Sequence, residues 1–176
     1  MTTYKRVKRR KVLMNKLKHK YRLVFFNDNT FDLITCFGTL HHIPNVTFVL
    51  NELIRILKPN GYLLIREPII SMGDWRIQRN GLTKNERGIP VKVFNSILKN
   101  APVVVVKKSY CYTMTSFIQK IVKKIFPKAN FISTNSYLFL DKFLSKLLFW
   151  NINYYPINKF QRCAPSNVFL IIKKNK

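Results

Sequence analysis

Phe31-Asp32-Leu33-Ile34-Thr35-Cys36-Phe37-Gly38-Thr39-Leu40-His41-His42-Ile43-Pro44 opens the stretch that decides the fold, and Lys58-Pro59-Asn60-Gly61-Tyr62-Leu63-Leu64-Ile65-Arg66-Glu67-Pro68 closes it. Phe31–Phe37 is a short run apolar on both sides, as expected of a strand buried between two helical layers. Val46, Val49, Leu50, Leu53, Ile54 and Leu57 then recur at helical spacing, with Asn51, Glu52 and Arg55 turned away. Pro59 stops that helix, and Asn60-Gly61 supplies a residue tolerant of positive φ. Tyr62–Ile65 reads as a second buried strand. Strand, helix and strand at this spacing form a βαβ unit, so the two strands are expected to be parallel neighbours.

The same residues resemble a known family. Phe26-Asn27-Asp28-Asn29-Thr30-Phe31-Asp32-Leu33-Ile34, Leu40-His41-His42-Ile43-Pro44 and Leu57-Lys58-Pro59-Asn60-Gly61-Tyr62-Leu63, in this order, look like the second half of a class I S-adenosylmethionine-dependent methyltransferase of the type 11-like group. The stretch Ser71-Met72-Gly73-Asp74-Trp75-Arg76, continuing to Gly81–Gly88, is similar to one bacterial subgroup of it. The resemblance runs from about Val24 to the C-terminus.

The family opens on an acidic-x-Gly-x-Gly-x-Gly turn, where glycine lets the backbone approach the donor. The five glycines here are Gly38, Gly61, Gly73, Gly81 and Gly88, so that turn has no counterpart in the sequence. Tyr21, Arg22 and Leu23 stand where the family usually carries an acid near the adenine. The expected fold is therefore α/β: a partial Rossmann-like methyltransferase sheet, mainly parallel with a C-terminal antiparallel strand, helices on both faces. Residues 1–22 are read as a basic N-terminal segment and 23–176 as a truncated methyltransferase-like domain with a helical insertion at about 113–150. Phe31–Phe37, central in a complete sheet of the family, is expected to have an unpaired edge, or one covered by the N-terminal segment, a second polypeptide or its own copy.

At 176 residues and 47% hydrophobic content, the chain suits one domain with a real core. No run of about 18 uncharged apolar residues occurs, and the N-terminus lacks the apolar region of a secretory signal. Cys36, Cys111 and Cys163 are odd in number and show no zinc spacing. Free thiols, a reducing and thus cytoplasmic setting and no metal are expected. The net charge is +25, from 32 Lys and Arg against 7 Asp and Glu. Residues 31–68 are neutral, with Arg55, Lys58 and Arg66 against Asp32, Glu52 and Glu67, whereas residues 1–22 hold ten basic residues and no acid. Such a basic excess suits nucleic acid or an anionic membrane surface; compositional bias toward Lys, Asn, Ile, Phe and Tyr is the other reading.

Ligands of open α/β sheets sit outside the carboxyl ends of the strands. Phe37 to His42 and Arg66-Glu67-Pro68 leave two such ends. The resemblance implies S-adenosylmethionine against Phe37, Gly38, Leu40 and His41. His41 or His42 then stands as a general base, or one packs the loop while the other is solvated. Glu67 holds a substrate amine or hydroxyl, or satisfies its neighbours. The glycine-bearing Ser71–Pro90 segment, with Asp74, Trp75, Arg76, Asn85, Glu86 and Arg87, is either a substrate lid or a structural loop.

Beyond it, Val91–Leu98 reads as a helix, Val103–Val106 as a strand, Phe117–Ile125 and Tyr137–Trp150 as helices, and Val168–Ile172 as a closing strand. The helical pair carries Phe117, Ile118, Ile121, Val122 and Ile125, then Phe143, Leu144, Leu147 and Leu148, read as packing inward or lying on a membrane surface. By resemblance the closing strand lies antiparallel, between its predecessor and Tyr62–Ile65. Three functions stay open: methyl transfer to a small-molecule or glycan-precursor acceptor; a non-catalytic remnant or subunit whose partner chain, or own copy, covers the sheet edge; and a basic RNA- or membrane-surface-associated protein.

Overall fold

The computed structural model describes residues 26–128 and 131–176. The basic segment 1–22 and most of the Val24–Phe26 stretch lie outside the described residues.

The elements are β1 (Phe31–Phe37), α1 (Val46–Ile56), β2 (Leu57–Pro68), α2 (Val91–Lys99), β3 (Val103–Thr113), α3 (Thr115–Ile125), α4 (Asn135–Leu148) and β4 (Pro165–Lys174). The sheet order is β1-β2-β4-β3. β1 pairs parallel with β2, and β4 runs antiparallel to both β2 and β3. Three strands therefore point one way and only β4 is reversed, the Rossmann-like arrangement expected. β4 lies between β2 and β3, as the resemblance implied. β1 is the outer strand, and among the described residues nothing pairs with its free edge.

Local chemistry sets the βαβ unit. Asn45 caps α1 by accepting from the Phe48 amide at 3.1 Å. At the other end of α1, Lys174 Nζ donates to the carbonyls of Arg55 (3.1 Å) and Leu57 (2.7 Å). A cation from the last strand thus satisfies carbonyls that a helix end leaves orphaned. Burial pulls the Lys174 ammonium below its usual range. The turn read at Lys58–Gly61 sits inside β2 as an irregularity. Phe31 pairs with Leu57, but Leu33 pairs with Tyr62. Asn60, not Gly61, takes the positive φ of 63°. Gly61 is needed for close approach, since a Cβ there would meet the Asp32 carbonyl oxygen at 3.0 Å.

One face of the sheet carries the core. Cys36, Leu63, Ile65, Val168, Leu170 and Ile172 pack under Leu50 and Ile54 of α1 and Phe94 and Ile97 of α2. Burial pushes the Cys36 thiol up to about 11, with the nearby Glu67 carboxylate adding to it. The other face departs from expectation. Leu33 and Phe37 of β1 are exposed, because α4 packs on β3 and not over β1. β1 is thus buried on one side only. α4 puts a helix on the second face at the far side of the sheet, over β3.

The helical insertion is also turned differently. The side chains that α4 buries are Tyr137, Asp141 and Ser145. Its apolar Phe143 and Leu147 point out, as do Phe117, Ile121 and Ile125 of α3. The inward-packing expectation for those residues is corrected here. Asp141 accepts from the amides of Tyr112 (2.9 Å) and Thr113 (2.7 Å) at the end of β3, and Ser145 meets the Thr113 hydroxyl. Two buried backbone donors need acceptors, and that requirement fixes which stripe of α4 faces inward. β3 and β4 extend beyond the β-branched runs that announced them, because ladder pairing continues through Cys111 opposite Asn167 and Thr113 opposite Pro165.

Candidate functional site

β1 and β2 end side by side, and the turns that leave them are tied together. The Gly38 amide donates to the Arg66 carbonyl at 2.8 Å, and Gly38 turns the chain at φ 63°. Leu40–His42 then form a single 3-10 turn. Glu67, fully buried, receives it. Its Oε1 accepts from the amides of Thr39 (2.8 Å) and Leu40 (2.9 Å). Its Oε2 faces the His41 amide at 3.3 Å and His41 Nδ1 at 2.8 Å. Both oxygens of Glu67 are therefore engaged by the chain itself. Of the two roles read from the sequence, satisfying neighbours is the one its geometry performs. A buried carboxylate held by three amides and an imidazole is a strong, charge-assisted anchor.

The anchor fixes the imidazole of His41. Nδ1 carries the proton toward the carboxylate, and Nε2 points to Glu86 Oε1, 3.9 Å away. His41 is buried; its ring lies 4.0 Å from that of the exposed His42. His42 Nδ1 meets the Thr83 hydroxyl at 2.8 Å, and that hydroxyl donates on to Glu86 Oε2 at 3.1 Å. His42 consequently donates from Nδ1 and keeps Nε2 free. The Thr83 amide holds the Glu86 carboxyl below the usual carboxylate range, helped by the Thr83 hydroxyl and both histidines.

Loop 71–90 folds onto this cluster. The Arg87 amide donates to the His41 carbonyl at 2.9 Å, and the Arg87 guanidinium lies 4.9 Å over the Trp75 ring. Gly88 passes so close to Ile70 that a Cβ would sit 1.9 Å from its carbonyl oxygen. Tyr154 fastens the segment by donating to the Gly88 carbonyl at 2.9 Å. The structure thus joins His41, His42, Glu67, Glu86, Arg87 and, through Arg87, Trp75. Asp74 and Arg76 stay apart from them as an exposed pair, Nη2 to Oδ2 2.8 Å, which holds the Asp74 carboxyl down at about 2. Asn85 is half-buried beside Glu86 in sequence, with no hydrogen bond among the described residues. Leu40 is wholly buried in the core, whereas Phe37 stands exposed at the rim.

One donor atom each from His41, His42 and Glu86 lie within 4.8 Å of one another, a spacing compatible with a divalent ion. The Thr83 hydroxyl already engages His42 Nδ1, so a third ligand from that nitrogen requires rearrangement. Arg66, Tyr112 and Asp141 form a second polar group near the same strand ends that the sequence did not single out as a site. Arg66 Nη1 donates to the Tyr112 hydroxyl at 2.7 Å, and Tyr112 adopts φ 61°. Burial, with the Asp141 carboxylate adding to it, pushes the neighbouring Cys111 thiol to about 12. The available signal was Asp141, the one acid in the lysine-rich 113–150 stretch.

Residues 2–65 match the family model described as a methyltransferase domain, the family the motifs resemble. The match reaches back to residue 2, ahead of Val24, and ends within β2. No curated protein sequence matches the chain. Among solved structures, a candidate sarcosine dimethylglycine methyltransferase from Galdieria sulphuraria aligns at TM-score 0.48 and 15% identity, over 86% of this chain and 56% of that one. An S-adenosylmethionine-dependent methyltransferase from Mesorhizobium loti aligns at 0.47 and 12%, over 86% and 65%. An N-methyltransferase from Haemonchus contortus, solved with phosphomonomethylethanolamine and S-adenosylhomocysteine, aligns at 0.44 and 17%, over 85% and 35%. The chain spans little more than half of the Galdieria protein and about a third of the Haemonchus one. Among the described residues, no helix is long and apolar enough to cross a membrane.

Proposed function

We propose that the chain serves methyl transfer from S-adenosylmethionine to a small-molecule or glycan-precursor acceptor. The observation that carries this reading is the clasp of Glu67 on Thr39, Leu40 and His41. It preforms a rim at the carboxyl ends of two parallel strands, where the segment that matches the methyltransferase domain holds Thr39, Leu40 and His41 and ends two residues before Glu67. The described residues fit one side of the donor. Phe37 is exposed there, and the positive φ of Gly38 bares backbone for close approach. They offer no glycine-rich turn and no acid for the ribose hydroxyls, so the other wall must come from residues outside them, from a partner chain or from a second copy. Leu40 and His41 support the rim from beneath.

In this reading, Glu67 positions the loop and His41. His42, exposed and with Nε2 free, is the better placed general base. Trp75, Glu86 and Arg87 bound the acceptor side. Alignment of acceptor, methyl carbon and sulfur supplies most of the rate for such a transfer, and a rigid rim serves that alignment. Calorimetric titration of the full chain with S-adenosylmethionine tests the reading. Saturable binding, weakened about tenfold or more by Gly38→Val, is expected. No saturable binding at millimolar donor would favour a non-catalytic subunit instead.

A second reading has its own observation. Phe139, Phe143 and Leu147 form an outward stripe of α4 at 76%, 58% and 56% exposure, flanked by Lys142 and Lys146. Apolar and cationic groups interleaved in this way suit shallow insertion into an anionic lipid surface. Co-sedimentation with phosphatidylserine vesicles, reduced by Phe139→Ser with Phe143→Ser, supports it. Equal sedimentation of wild type and the double variant, or retention by RNA alone, overturns it.

A further inference from the structure

Between β3 and α4, on the sheet face opposite the apolar core, lies a cleft of about 750 Å³, within the range of small-molecule sites. Arg66 and Phe169 line it from the sheet, Lys107 from β3, and Lys142 and Lys146 from α4, whereas the Lys108 ammonium is held on the other face by Asn95 of α2. Its one acid, Asp141, is buried and has both oxygens on the Tyr112 and Thr113 amides. Four cations therefore face a space that contains a single carboxylate, itself occupied.

Arg66 is the informative member. Its guanidinium lies 5.8 Å over the Phe37 ring and 5.2 Å over the Tyr112 ring, and Nη1 is fixed on the Tyr112 hydroxyl. Among the described residues, no carboxylate comes within ion-pair distance of it. Its Nε is buried without a hydrogen-bond partner. Buried polar groups without partners are costly and uncommon. A planar fork immobilised by two rings, charged and incompletely bonded, is preorganised for an oxyanion. The rings of Tyr137 and Phe169 offer apolar surface beside it.

We propose that this cleft binds a small organic oxyanion, a phosphate or carboxylate carried on an apolar or ring-shaped body, with Arg66 as its fixed contact and Lys107 and Lys146 as mobile ones. Arg66 pairs with Phe37 near the end of β2 and lies over its ring, so the bound anion would sit beside the rim assigned to methyl transfer. On that reading the acceptor carries a negative charge; the binding claim itself does not depend on it.

Phenyl phosphate and benzoate, titrated separately into the full chain without methyl donor, are the test. Saturable binding of either probe is expected, weakened by added salt. Tighter binding of one identifies the oxyanion preferred. Arg66→Gln should weaken it about tenfold or more, the scale of a lost charged hydrogen bond. The pair Lys107→Gln with Lys146→Gln, both on exposed side chains, should weaken it severalfold and keeps the test sound if Arg66→Gln disturbs folding. Lys99→Gln, at the end of α2 and outside the cleft, should change nothing. Equal loss in all variants would show general attraction to a cation-rich surface and overturn the proposal, as would no saturable binding of either probe. Donor binding is titrated separately, so failure here leaves the methyl-transfer reading standing, and the reverse also holds.

Discussion

The two faces of the sheet were written in the same alphabet and folded by different rules. On one face, α1 and α2 bury the apolar stripes that their spacing announces, and Leu50, Ile54, Phe94 and Ile97 fill the core. On the other, α4 turns its apolar stripe outward and buries Tyr137, Asp141 and Ser145. Periodicity reveals that a helix forms and where its stripes lie. It does not say which stripe a neighbour needs. The end of β3 needs acceptors for two amides, and Asp141 supplies them. The lesson is that a lone acid in a basic helix outranks four apolar residues when it is the group that can satisfy a buried backbone.

The contrast can be broken by substitution. Phe94→Ala should cost about 3–5 kcal/mol by chemical denaturation, as a large core truncation does, whereas Phe143→Ser should stay within about 0.5 kcal/mol. Comparable costs at the two positions would erase the distinction between the faces. Glu67→Gln, which replaces an acceptor for four donors by a group that itself donates, should lower stability by about 3 kcal/mol. Gly88→Ala must displace the Ile70 backbone and should cost about 2 kcal/mol, with a shift in Trp75 fluorescence because Arg87 moves with the loop. Asp141→Asn keeps one amide acceptor and loses the other, for about 1–2 kcal/mol; no effect would mean that the polar stripe is not what holds α4.

The smallest effect expected is a pH dependence. The Glu86 carboxyl lies below its ordinary value of 4.5, chiefly through the Thr83 amide. A depressed folded value means that its contribution to loop stability is complete above that ordinary value and is lost as pH falls through the folded one. Trp75 emission, followed through an acid titration in a Trp150→Phe background, should change in that window, and Glu86→Gln should abolish the change.

Much of this was legible in advance. The βαβ unit needed only the Val46–Leu57 spacing, Pro59 and two apolar runs. The place of β4 came from the family resemblance. Three things were not legible. One was which of Asn60 and Gly61 takes the positive φ, because close approach to Asp32 and positive φ are separate demands that one dipeptide met with different residues. β1 read as buried on both faces, yet Leu33 and Phe37 stand exposed, because what lies over a strand is a tertiary fact. At the site, Glu67 could be read as contacting substrate or holding the chain. Only the positions of three amides separate these, and no spacing encodes them. The partnership of Glu86 with both histidines spans more than forty residues and was equally hidden.

The most direct test of the central claim, that the rim held by Glu67 faces the methyl donor, is a residue-resolved titration of isotope-labelled protein with S-adenosylmethionine. Saturable shifts are expected at the amides of Phe37, Gly38 and Thr39, and they vanish in Gly38→Val. Shifts confined to the β3–α4 cleft, or none anywhere at millimolar donor, would contradict it.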